Sequence, residues 1–375
     1  MLVVLFSVGC GSMKAESKPE KQVSAKKNMC DIIGSSHVMS RYYFTDKDIL
    51  NEGADELLSL GSKVIKIWFY NGSGEMPETF YPYNSQWPKV TTLVEGAKVS
   101  YYKNLFDKPF TTIIMNVATF DKNAYYWFDA ITAEDEANEE KQFYDLTCYL
   151  LKEYAGTGKT FVLQHHEGDW HLRGNTDKTI DPRPEAFANM IKWLNARQRG
   201  VDKARKEVGQ HGVKVYHATE VNLVVSSMKD GRPNLVNKVL PYVNVDMVSY
   251  SAYDAIFAVI EGKPDALTDA LDYIAANAKD SPDFGNKNVY LGEFGIPENN
   301  YTAEQIEIVM KNSVERSLKW GCPYIVYWQL YCNELTDPKT QTPVKDNKDV
   351  RGFWLIRPDG TKSFAWDYFH GLLTE

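Results

Sequence analysis

At 375 residues, with 43% hydrophobic and 25% charged side chains, the chain has an ordinary globular composition and enough length for one large domain. The formal net charge of −8 argues against a polyanion as partner, because nucleic-acid binders need clustered Lys and Arg to displace counterions. No run after the N-terminus approaches about 18 apolar residues, so no membrane-spanning helix is expected.

The chain begins with a short apolar run, Met1 to Gly9, that ends in small residues before Cys10. Gly11-Ser12 and a stretch rich in Lys, Glu and Ser follow, as far as Asn28. This pattern reads as the end of a secretory signal with a lipid-accepting cysteine, followed by a flexible tether. It resembles a bacterial lipoprotein leader, although it has no basic n-region and carries Ser7 where a larger aliphatic residue is usual. The expectation is a leader and tether over 1–29 and a single domain over 30–375. The protein would be exported and held at the cell envelope by a lipid on Cys10. Cys30, Cys148, Cys322 and Cys332 show no CxxC spacing and are expected as free thiols within the domain.

After the tether, strand-like apolar runs alternate with segments of helical period. The predicted strands are Ser36–Tyr43, Lys63–Tyr70, Thr111–Val117, Thr160–His166, Lys214–Val221, Met247–Tyr253, Val289–Phe294 and Pro323–Leu330. Between them, Thr45 can cap a helix that carries Leu50, Ala54, Leu57 and Leu58 on one face and stops at Gly61. Glu185 to Val208 gives a long helix with Met190, Trp193 and Leu194 inward. Thr302 with Gln305 makes a capping box for a helix running to Gly321. Ser363 to Leu373 forms the last helix. Eight β/α units imply a parallel sheet closed as a (β/α)8 TIM barrel. An open doubly wound sheet lacks the Gly-rich phosphate loop after its first strand.

Barrel enzymes carry their catalytic groups at the C-terminal ends of the strands. The seventh strand ends Val-Tyr-Leu-Gly-Glu293-Phe-Gly295, and the fourth ends Leu-Gln-His165-His166-Glu167-Gly-Asp169-Trp170. A glutamate among small and apolar residues is costly to bury without a role. Strands four and seven face each other across a barrel mouth, so Glu167 and Glu293 can converge on one substrate. Glycoside hydrolysis needs such a pair, one acid for the leaving oxygen and one carboxylate for the anomeric carbon.

With these residues in place, the sequence from about Ile33 onward resembles the clan A glycoside hydrolases, which are retaining (β/α)8 enzymes. The resemblance implies Glu167 as acid/base and Glu293 as nucleophile, with Leu-Gly-Glu-Phe-Gly matching the nucleophile motif. It implies Trp328, in Val-Tyr-Trp-Gln-Leu, as the floor of the sugar site. Tyr250 or Tyr253 would supply a tyrosine that bonds the nucleophile. Lys66 stands where an arginine is common, and His166 stands where the clan usually has Asn facing the sugar 2-hydroxyl. Asp169, Trp170 and His217 complete the candidate substrate-binding set, His217 also reading as a core histidine. Strand alternation puts His165 and Glu167 on one face and His166 on the other, unless a bulge lets both neighbours face the site.

Three other readings compete. Glu220, ending strand five, is the leading rival for the acid role, with Glu334 behind it. His165, His166, Glu167, Asp169 and His171 form a cluster of metal-ligand type, as in metal-dependent barrel hydrolases. A surface lipoprotein that binds glycan without cleaving it would keep an aromatic cleft, supplied by 23 Tyr, 17 Phe and 9 Trp, but would need neither glutamate. The favoured expectation is a monomeric glycosidase with a carbohydrate substrate, no nucleic acid partner, no cofactor and no metal requirement.

Overall fold

A computed structural model describes residues 28–70 and 79–374. The leader and Cys10 lie outside the described residues, as does nearly all of the tether.

Eight parallel strands close into a barrel in sequence order: β1 (Ile33–His37), β2 (Val64–Phe69), β3 (Thr112–Val117), β4 (Thr160–His165), β5 (Lys214–Val221), β6 (Met247–Ser251), β7 (Val289–Phe294) and β8 (Ile325–Tyr327). Every strand pairs with its sequence neighbours, and β1 closes the ring against β8 through Gly34↔Val326. The chain is a (β/α)8 barrel.

Seven strands lie where expected within a few residues. The first is displaced toward the N-terminus, to Ile33–His37 instead of Ser36–Tyr43. Its residues, Ile-Gly-Ser-Ser-His, are mostly small because it crosses close to β2. A Cβ on Gly34 would come within 2.4 Å of the Val64 carbonyl oxygen. The apolar signal that drew the prediction onward belongs to the following loop, where Tyr42 packs on Tyr331 and its hydroxyl donates to the Ile356 carbonyl at 2.6 Å.

The helices Pro184–Val208, Ala303–Trp320 and Phe364–Thr374 match the expected segments to within a residue or two, and the Thr302/Gln305 capping box is present. For the helix Ile49–Leu60, Asp48 is the cap in place of Thr45. Thr45 instead donates to the Glu52 carboxylate through both its backbone N–H and its hydroxyl, each at 2.7 Å. Of the four cysteines, Cys148, Cys322 and Cys332 are buried and Cys30 is half-buried; all four are free.

Inside the ring, residues two apart on each strand point inward and stack in layers. Val64, Ile114, Val162, Tyr216, Met247, Tyr290 and Val326 form an apolar plug. This plug supports the groups above it, toward the C-terminal mouth.

Candidate active site

One step of two residues beyond the plug, the period of the strands replaces apolar side chains by polar ones. Val64 is followed by Lys66, Val162 by Gln164, Ala218 by Glu220 and Met247 by Ser249. The Lys66 and Glu220 side chains are wholly shielded from solvent and pair at 3.0 Å. The same Glu220 oxygen, Oε2, accepts from Gln164 Nε2 at 2.9 Å and from Ser249 Oγ at 2.6 Å. Its Oε1 accepts the backbone N–H of Glu167 at 3.0 Å. Burial on its own would raise the Glu220 pKa. The Lys66 ammonium, His166 and these hydrogen bonds outweigh it and hold the carboxyl well below its ordinary range.

Glu293 owes its place to the glycines flanking it. A Cβ at Gly292 would approach Ser249 Oγ to 1.7 Å, and one at Gly295 would approach the Trp328 carbonyl oxygen to 2.3 Å. Glycine at both positions lets β7 press against β6 and β8, and the pairing register shifts on both sides there. The bared Gly292 carbonyl accepts from Lys66 Nζ at 3.0 Å, and the same ammonium lies 3.5 Å from Glu293 Oε2. That oxygen is buried and has no hydrogen-bond partner among the described residues, while the Glu293 residue lines the cavity.

At the end of β4 the backbone settles the question of faces. Glu167 adopts φ 49 and ψ 47, a left-handed turn, before the short helix Gly168–Arg173. The turn sends both His166 and Glu167 to the cleft, while His165 points into the helical layer. There His165 meets Thr219 and His171 through its two ring nitrogens, at 3.0 and 2.9 Å. His166 Nε2 stands 3.7 Å from Glu293 Oε2 and 3.9 Å from Glu220 Oε1, with its ring edge-on to Trp68. Burial lowers the His166 pKa, but Glu167, Glu293 and Glu220 together overcome it, and the net shift is upward. For Glu167, burial raises the pKa and outlasts the opposing pull of His166, with Glu293 and Glu220 adding to the rise. A carboxyl shifted in this direction holds its proton more firmly than an ordinary glutamate, as a general acid must before giving it up.

Glu167 and Glu293 open onto one cavity of about 640 Å³, lined also by Tyr253, Phe257, Tyr301, Trp328 and Phe353. Trp328 sits against Trp68, with ring centroids 5.6 Å apart. At the far rim Glu334 pairs with Arg351. A second cavity, of about 430 Å³ and walled by Tyr125, Phe128 and Trp170, shares only Glu167 with the first.

Of the candidate residues, Glu167, Glu293, Trp328 and Tyr253 line the first cavity, His166 and Lys66 stand beside Glu293, and Trp170 lines the second cavity. Three others lie elsewhere. Tyr250 is buried in the wall and donates to Asp254 at 2.5 Å, so Tyr253 is the strand-six tyrosine at the cleft. The Asp169 carboxylate is spent on the backbone N–H groups of Asn222, Leu235 and Leu223. His217 faces outward to Gln198 at 3.1 Å and lies edge-on to Phe143. Sequence reasoning missed Trp68, whose inward direction follows from its place two residues after Lys66. It also missed Phe257, in the short 3-10 helix Ile256–Glu261, and Tyr301 and Phe353, which stand on loops with no period to read.

The histidine-rich segment does not converge as a ligand set at the cleft, since His165 and His171 bond each other in the helical layer and the Asp169 carboxylate is taken up by backbone N–H groups. Among the described residues, the donors that do converge are His166, Glu220 and Glu293, with atoms within 4.8 Å of one another. The Lys66 ammonium already stands between the two carboxylates, where a metal ion would have to compete with it. Whatever turnover the protein shows should therefore survive dialysis against EDTA within about twofold, the scatter expected of such an assay. Loss of turnover restored by zinc or manganese would mean that a cation displaces Lys66.

No protein-family model matches the chain, and no curated protein matches it. Solved structures do resemble it. The protein GH5_18 from Bifidobacterium longum subsp. longum is 15% identical, with a TM-score of 0.55 over 92% of this chain and 78% of that one. The exo-beta-1,4-mannosidase Op5Man5 from Opitutaceae bacterium strain TAV5 is 12% identical, with a TM-score of 0.56 over 92% of this chain and 59% of that one. A Bacteroidetes-affiliated GH5 cellulase linked with a polysaccharide utilization locus is 15% identical, with a TM-score of 0.50 over 92% and 90% of the two chains. At such identities the likeness establishes the barrel fold that this chain shares with them.

Proposed function

We propose that the protein is a retaining glycoside hydrolase acting on a β-linked glycan or glycoside, with Glu167 as acid/base and Glu293 as nucleophile. The observation that carries this reading is that Glu167 and Glu293 line one cavity with aromatic walls, with Lys66 3.5 Å from Glu293 Oε2 and the Glu167 carboxyl held toward its protonated form. The neighbouring folds support the substrate class. Two are named as a mannosidase and a cellulase, and a variant of the Bifidobacterium protein was solved with Manβ1-4GlcNAc.

In the first step the Glu167 carboxylic acid passes its proton to the glycosidic oxygen while a Glu293 oxygen bonds to the anomeric carbon. The C–O bond to the leaving group breaks, leaving a glycosyl ester on Glu293 and a Glu167 carboxylate. In the second step that carboxylate takes a proton from water as the water oxygen attacks the anomeric carbon. Glu293 departs with its electron pair, and Glu167 is again protonated. Trp328, backed by the buried Trp68, offers flat apolar surface to a sugar ring. On this reading the leaving group lies on the acid's side and would enter the second cavity, which Glu167 also lines and which has Tyr125, Phe128 and Trp170 as walls.

The test is a panel of aryl β-glycosides and β-1,4-linked polysaccharides, with proton NMR of the first product formed. Hydrolysis with the β-anomer appearing first is expected. An α-anomer as first product would replace the nucleophile by a base. Binding to the panel without hydrolysis would make the protein a glycan-binding one.

A further inference from the structure

The two-carboxylate reaction gives Glu220 no chemical step, yet this is the most heavily bonded side chain of the site. It accepts from Lys66, Gln164, Ser249 and the Glu167 backbone. It has no exposed surface and does not line the cavity, so it cannot meet a substrate. We propose that Glu220 is a positioning residue for both working carboxylates at once, one oxygen fixing the backbone of Glu167 and the other fixing Lys66 against Glu293. The proposal rests on the glycosidase reading above.

The Glu167 arm concerns backbone shape. A side-chain-bearing residue in the left-handed region costs about 1–2 kcal/mol and persists only where its surroundings hold it. The ladder between β4 and β5 ends at His165↔Thr219, so it does not hold residue 167. What takes up the Glu167 N–H is Glu220 Oε1, at 3.0 Å. This bond fixes the turn that sends the Glu167 side chain to the cleft instead of the helical layer.

The Lys66 arm concerns charge through the reaction cycle. A buried ammonium needs a permanent counter-charge. Glu293 cannot supply one, because it becomes a neutral ester when it bonds to the sugar. Glu220 takes no part in that bond, keeps its charge throughout, and holds Lys66 at 3.0 Å. The ammonium therefore waits beside the ester oxygen and favours the return of the Glu293 carboxylate when water attacks.

Glu220 also acts on Glu167 through space. The other charged or titratable groups facing Glu167 are His166, Glu293 and Lys66, with Tyr70, Tyr125 and Tyr253 around them; burial raises all three phenols, which stay neutral. Removing the negative charge at 220 should ease the ionisation of Glu167.

The experiment compares wild type with Glu220→Gln and Glu220→Asp, by kinetics on the best aryl glycoside and by carbon-13 NMR titration of the Glu167 carboxyl, assigned with Glu167→Gln. Glu220→Gln should lower kcat by about 10²-fold, the loss that a 1 Å misplacement brings, with KM within about threefold. Its Glu167 carboxyl should titrate at lower pH than in wild type, and the basic limb of the rate profile should move the same way. Glu220→Asp keeps the charge but is too short to hold both partners. It should lose rate while Glu167 titrates near the wild-type pH. Should Glu220→Gln fail to fold, Glu220→Asp decides, because its buried ion pair survives. A wild-type kcat in Glu220→Asp, or an unmoved Glu167 titration in a folded Glu220→Gln, overturns the proposal. A wild type that cleaves no glycoside overturns the functional reading instead, and the NMR titration still decides the role of Glu220.

Discussion

Glu293→Ala is expected to abolish turnover on every glycoside that the wild type cleaves, while Glu167→Ala keeps measurable activity on substrates with good leaving groups. The asymmetry follows from what each carboxylate does. Glu293 supplies the bond that carries the intermediate, and its carboxylate beside Lys66 has no substitute nearby. Glu167 supplies a proton, which matters in proportion to how poor the leaving group is. Losing it should cost about 10²–10⁴-fold on an unactivated sugar leaving group and far less on an activated phenolate. Azide should accelerate Glu167→Ala on the activated substrate, because a small anion replaces the water that Glu167 would otherwise deprotonate. The measurement is the rate of both variants on one aryl glycoside, with and without azide. The pattern fails if Glu167→Ala is as inactive as Glu293→Ala and azide does nothing. Rescue appearing in Glu220→Ala instead would move the acid to β5, which the full burial of Glu220 argues against.

The barrel was legible because a parallel strand buried on both faces reads as a nearly continuous apolar run, and seven of the eight strands read that way. The exception, β1, is built from small residues chosen for close approach, so its apolar signal was weak and the neighbouring loop supplied a stronger one. Within the site, charged residues ending apolar runs were conspicuous, which is how Glu167, Glu293 and Glu220 stood out together. Their division of labour was less legible. It depends on a left-handed turn at a glutamate, which no residue preference announces, and on a register shift that glycines at 292 and 295 permit. The His165, Asp169 and His171 cluster misled in the opposite direction. Adjacency in sequence placed ligand-type residues together, but the structure turns His165 and His171 onto each other away from the cleft and commits the Asp169 carboxylate to backbone N–H groups. Asp169 binds three backbone N–H groups there and so ties the short helix after β4 to the loop after β5.

Lys66→Met is expected to be the most destabilising single change at the site, by about 3–5 kcal/mol at neutral pH, because it strands Glu220 as an uncompensated buried charge. The pH dependence gives this prediction its character. In the wild type the Glu220 carboxyl titrates well below the ordinary carboxylate range, so its ionised form favours the fold above about pH 4.5. That contribution fades only as the pH falls below this value, toward the depressed folded-state pKa. In Lys66→Met the largest opposing influence is gone and burial pushes Glu220 upward. The variant is then penalised at neutral pH and relieved as the pH falls through the raised value and the carboxyl takes up a proton. Urea unfolding of both proteins should therefore show a wide gap in stability at pH 7 that narrows by pH 5. The double variant Lys66→Met/Glu220→Gln, which removes both charges, should recover a large part of the lost stability, since two groups that share one buried interaction do not add. It should recover none of the activity, because Glu293 would still lack the ammonium beside it. Equal losses at both pH values, with a double variant no more stable than the single one, would show that Lys66 fills space in the barrel and that its charge is incidental.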